Sequence, residues 1–94
     1  MRLSRDEITQ LKTSLKSLDT KAELYLFGSR TNIHAKGGDI DLLVVSSTLT
    51  KAQLRKLRLD FCRRFGEQKI DIVLDRGDFT SPFHALIKTK AVRL

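Results

Sequence analysis

The chain has 94 residues, a net charge of +7, one Pro and one Cys. That length predicts one domain over 1–94, with room for one core and none for a second substrate-binding unit. Composition excludes disorder, a disulfide framework and a membrane span: no apolar run nears the ~20 residues a span needs, no secretion pattern opens the chain, and lone Cys62 fits a reducing cytoplasm.

Ser4-Arg5-Asp6-Glu7 has the form of a capping box, with Leu3 and Ile8 placed as a hydrophobic staple. Ile8, Leu11, Leu15 and Leu18 recur at helical spacing, so residues 4–18 read as an amphipathic helix ended by Asp19-Thr20. Glu23 to Phe27 reads as a buried strand that stops at Gly28, and residues 29–38 as a loop with at most one helical turn. Ile40 to Val45 is the strongest strand, because β-branched residues cluster there.

Leu49-Thr50-Lys51-Ala52-Gln53-Leu54 repeats the helix-start pattern, and Leu54, Leu57, Phe61 and Phe65 form the apolar stripe before Gly66. Lys69 to Leu74 is a third strand, and Asp75 to Asp78 a turn. Ser81-Pro82 opens a last helix with Phe83, Leu86, Ile87 and Val92 as its packing positions. The order α-β-β-α-β-α predicts an α/β (α+β) domain, a mixed sheet of three to four strands flanked by helices. The middle β-α-β is compatible with parallel pairing through a right-handed crossover.

Chemistry concentrates in Asp39, Asp41 and Asp71. Side chains alternate along a strand, so Asp39 and Asp41 project to one side with Cα atoms about 6.5–7 Å apart. Their oxygens can converge on Mg²⁺, whose ligands lie at ~2.0–2.1 Å. Asp71 sits likewise between Ile70 and Ile72 and joins the cluster if its strand is a neighbour. Three such acids repel unless a cation is present, and two ions ~3.5–4 Å apart would both relieve that and clamp a phosphoryl-transfer reaction. A lone Asp-x-Asp favours a strand cap plus an ion pair. Gly28-Ser29 upstream and Asp71 downstream shift the balance to a metal site.

Glycine at 28 lets the backbone approach a ligand, and the Ser29 hydroxyl and nearby N–H groups can hold phosphate oxygens. Arg30 reads equally as a phosphate contact or a solvated side chain. His34 reads as an exposed loop residue, and His84 as surface or packing without a companion. Lys51, Arg55 and Arg58 form a basic stripe within 51–64, a segment with six basic residues against Asp60 alone. Nucleic acid, an acidic partner or water would each suit it, and it lacks aromatic residues interleaved on that stripe for base stacking.

Taken together, Gly28-Ser29-Arg30, the loop, Gly38-Asp39-Ile40-Asp41-Leu42 and the later Asp71 resemble the DNA polymerase beta nucleotidyltransferase superfamily. The small size resembles its minimal nucleotidyltransferase branch, whose members pair with HEPN proteins as toxin–antitoxin modules. The resemblance covers roughly residues 23–75. It implies a nucleotidyltransferase fold, with Gly28, Ser29 and Arg30 at the nucleotide phosphates. It implies that Asp39 and Asp41 bind the metals, and that Asp71 binds one metal and helps activate the incoming hydroxyl.

The expected activity is therefore Mg²⁺-dependent transfer of a nucleoside monophosphate, AMP from ATP, to a hydroxyl. With no added domain for RNA or a small acceptor, a protein acceptor is the more economical choice, and the resemblance implies a HEPN toxin tyrosine. The alternatives are a non-catalytic module that neutralises its partner by contact, and a nucleic-acid-binding domain that uses the basic helix. No membrane partner is expected.

Overall fold

The computed structural model describes residues 3–28, 40–67 and 69–94. Its elements are α1 (Arg5–Leu18), β1 (Glu23–Phe27), β2 (Ile40–Val45), α2 (Lys51–Phe65), β3 (Ile70–Asp75), α3 (Pro82–Lys90) and β4 (Val92–Arg93). Both expected capping boxes form. The Ser4 hydroxyl accepts from the Glu7 N–H at 3.1 Å while the Glu7 carboxylate accepts from the Ser4 N–H at 3.0 Å. Thr50 and Gln53 make the equivalent exchange at the start of α2. Gly66, at φ +87°, closes α2 by donating to the Cys62 carbonyl.

The four strands form one mixed sheet in the order β3-β2-β1-β4. β2 and β3 are parallel, joined through α2, and β1 is antiparallel to both β2 and β4. Strand alternation divides the side chains between two faces. Leu24, Leu26, Ile40, Leu42, Val44 and Ile70 face α1 and α2, where they meet Leu11, Leu15, Leu54, Leu57 and Phe61 in the main core. Tyr25 and Leu43 face the other way and are covered by Ile87 of α3. The result is a small α+β domain with helices on both faces of its sheet.

The C-terminal end differs from expectation. Only Ile87 of the proposed α3 stripe is buried, whereas Phe83 and Leu86 are 60% and 58% exposed. Val92 is not helical: α3 ends at Lys90, and Val92 and Arg93 pair with Leu26 and Tyr25. The outer backbone edge of β1 takes this short strand, and the Leu94 N–H also donates to the Leu24 carbonyl at 2.9 Å. The third strand includes Asp75, which the sequence assigns to the turn. No helix among the described residues is long and apolar enough to cross a membrane.

Candidate active site

Asp41 and Asp71 occupy the second positions of β2 and β3, and they are register partners in the parallel ladder. Register partners on neighbouring strands point to the same face, about 4.8 Å apart in the backbone. Here that is the face of Leu43 and Val73, toward α3. Asp71 is exposed on the outer strand and Asp41 is half-buried between β1 and β3. The apolar neighbours Ile40, Leu42 and Ile70 anchor both strands from the opposite face, so core packing sets where the two acids lie.

β1 brings its own C-terminal end to this place, because Phe27 is the partner of Asp41 on the other side. Gly28 follows with φ +77°, a left-handed conformation that costs other residues about 1–2 kcal/mol. A Cβ on Gly28 would collide with the Asp41 Oδ2, and would lie 3.1 Å from its Cγ. Glycine is needed at 28 for two separate reasons, backbone conformation and the close approach of the Asp41 carboxylate.

The structure thus brings together Gly28, Asp41 and Asp71 of the expected site. Ser29, Arg30, His34 and Asp39 lie outside the described residues. Among the described residues no three His, Cys, Asp or Glu side chains gather as a metal site, and Asp41 and Asp71 form a pair. That pair fits a divalent cation: two carboxylates in register on one sheet face, one of them open to solvent, are the hard oxygen donors such an ion takes.

Beside Asp71, Lys51, Arg55 and Arg58 of α2 line an open groove of ≈ 290 Å³ whose floor is Leu54, Ile70 and Ile72. The basic stripe is therefore not remote from the acids.

An acid–base pair elsewhere on β3 was not foreseen from the sequence. Asp75, at the far end of β3, is buried, and its Oδ1 lies 2.8 Å from His84 Nδ1. Its Oδ2 accepts from the N–H groups of Gly77 at 2.7 Å and Phe79 at 3.3 Å. Burial pushes the Asp75 carboxyl up, but the His84, Gly77 and Phe79 hydrogen bonds together hold it below its usual 3.8. His84 is thus a partnered residue rather than a lone one. The only sequence signal was an acid ending an apolar strand, one turn before a helix bearing a histidine.

At the same end of the sheet, Asp19 joins α1 to the exit of β2. Its Oδ2 accepts from the Ser46 hydroxyl at 2.5 Å and the Thr48 hydroxyl at 3.2 Å. The Ser46 bond, followed by the Lys21 N–H, lowers the Asp19 carboxyl. Neither Asp19 nor Asp75 is on the acid pair's end of β2 and β3, so both serve the frame.

Two acids and a glycine turn at adjoining strand ends can hold a cation and admit phosphate oxygens. The chain belongs to the nucleotidyltransferase domain family, whose model matches residues 8–92, and this supports its placement in the DNA polymerase beta nucleotidyltransferase superfamily. Nucleotidyl transfer is accordingly the general activity of its class. No curated protein matches the chain.

Proposed function

We propose that this protein moves AMP from ATP onto a hydroxyl of a partner protein, a tyrosine of a HEPN toxin, and so acts as an antitoxin. The observation that carries the reading is the side-by-side placement of Asp41 and Asp71 next to Gly28, in a chain of the nucleotidyltransferase family. The acceptor and the antitoxin role rest on the resemblance described above.

Asp41 and Asp71, with Asp39, would hold Mg²⁺, which when bound supplies positive charge against the triphosphate and the departing pyrophosphate. Asp71 is the exposed member of the pair, so it is the one an incoming hydroxyl can reach. Its carboxylate takes the proton as the acceptor oxygen bonds to the α-phosphorus. The bond from that phosphorus to the bridging oxygen breaks, and pyrophosphate leaves with the electron pair. Gly28, Ser29 and Arg30 would contact the phosphates, Gly28 through its backbone because it has no side chain to obstruct approach.

The test is incubation with Mg²⁺, α-labelled ATP and the co-expressed partner. Label should appear on the partner's tyrosine with the wild-type chain and vanish with Asp41→Asn. Partner binding without any label transfer would replace the enzyme with a contact inhibitor.

A further inference from the structure

The outer edge of β3 and the flank of α2 form a trough that the transfer chemistry does not account for. Among the described residues β3 is an edge strand, with β2 on one side only. The carbonyls of Lys69 and Asp75 turn inward and accept from the N–H groups of Ile40 and Ser46, both at 2.9 Å. Backbone direction alternates along a strand, so the N–H and C=O groups of Ile70, Ile72 and Leu74 face outward. These are the groups that another extended chain would pair with.

Exposed cations of α2 overhang that edge. Lys51, Arg55 and Arg58 line the ≈ 290 Å³ groove over Leu54, Ile70 and Ile72. Arg58 also borders a second open groove of ≈ 430 Å³, lined besides by Leu59, Cys62, Glu67 and Lys69. The trough therefore offers three things at once: an open backbone ladder, an apolar floor and a row of positive charge.

We propose that this trough receives an extended acidic segment of a partner protein, added as a fifth strand beside β3. Alternate apolar side chains of the segment lie on the Leu54–Ile70–Ile72 floor, and its carboxylates meet Lys51, Arg55 and Arg58. A second copy of this chain is a poor occupant, because its own β3 edge carries the same cations. A nucleic acid strand would use the cations but not the backbone ladder, and among the described residues neither groove is lined by an aromatic side chain on which bases could stack. Asp71 lines one end of the first groove beside the three cations, yet docking is a separate property from transfer and is measured without nucleotide. Failure of one leaves the other to be judged by its own assay.

The experiment uses the full ¹⁵N-labelled chain and a short synthetic peptide of alternating Glu and Val. Expected are amide shifts and slowed hydrogen exchange at Ile70, Ile72 and Leu74. Binding should weaken about tenfold or more for the peptide N-methylated at alternate residues and for the Arg55→Glu/Arg58→Glu variant, with Arg5→Glu on α1 as an unaffected control. Equal binding of the N-methylated peptide would overturn strand addition in favour of charge alone. Displacement of the peptide by a single-stranded RNA that protects the same amides would assign the trough to nucleic acid. Absence of peptide binding, or shifts confined to another surface, would also overturn the proposal.

Discussion

Asp41 and Asp71 are direct neighbours across the parallel β2–β3 ladder. Two carboxylates so placed offer adjoining oxygen donors to a cation that enters between them. Mg²⁺ should therefore raise the melting temperature of the wild-type chain, by mass action on the folded state alone. The Asp41→Asn/Asp71→Asn variant should show no Mg²⁺ shift. Thermal scans with and without Mg²⁺ decide this; an equal shift in both proteins would separate the ion from these acids.

In the transfer assay, Asp71→Asn should lower kcat by about 10²–10⁴-fold, the range for loss of a general base, while ATP still binds. Single-turnover kinetics with the partner in excess provide the measurement. Unchanged kcat would remove Asp71 from proton transfer.

Gly28→Ala should be costly despite adding one methyl group. It combines a left-handed backbone with a collision against the Asp41 carboxylate, for about 1–3 kcal/mol of lost stability and displaced Asp41 oxygens. Urea unfolding gives the first quantity and transfer rate reports the second. Wild-type values in both would show that the turn tolerates a side chain.

Asp75→Ala should destabilise by about 2–3 kcal/mol, because it strands the N–H groups of Gly77 and Phe79 and removes the partner of His84. Phe79 sits at φ +50°, and its bond to Asp75 helps hold that unfavourable backbone. The folded Asp75 carboxyl lies below 3.8, so its contribution is complete above that pH and fades as pH falls through the lower folded value. Wild type should lose stability on acidification below about pH 4, and Asp75→Ala should lose less over the same window. Denaturant midpoints between neutral and acid pH provide the check, and parallel curves would discount the group.

Phe61 is fully buried and its ring centre lies 4.9 Å from that of Phe65. Phe61→Ala should cost about 3–5 kcal/mol, a large share of the roughly 5–15 kcal/mol that holds a domain of this kind together. Calorimetry should show a lowered or absent transition, and a loss under 1 kcal/mol would mean that α2 repacks freely.

Local signals were legible where neighbours in sequence are also neighbours in space. The Ser4–Glu7 and Thr50–Gln53 boxes and the alternation along β1, β2 and β3 all belong to that kind. The C-terminus was harder to read. Phe83 and Leu86 have helical spacing, but α3 is short and meets the sheet along one line, which only Ile87 fully occupies. Val92 and Arg93 are too short a run to show a period of two, and they extend by pairing with Leu26 and Tyr25 at the outer edge of β1.

The amino-acid order alone therefore determined the three helices and the cores of β1, β2 and β3, since these follow from capping and from periods of 3.6 and 2. Tertiary structure decided what lies beside what. The ladder register set Asp41 against Asp71, the closeness of β1 to β2 made Gly28 obligatory, and the turn after β3 carried His84 back to Asp75. Those pairings come from hydrogen-bond register and burial between distant segments, which no local pattern encodes.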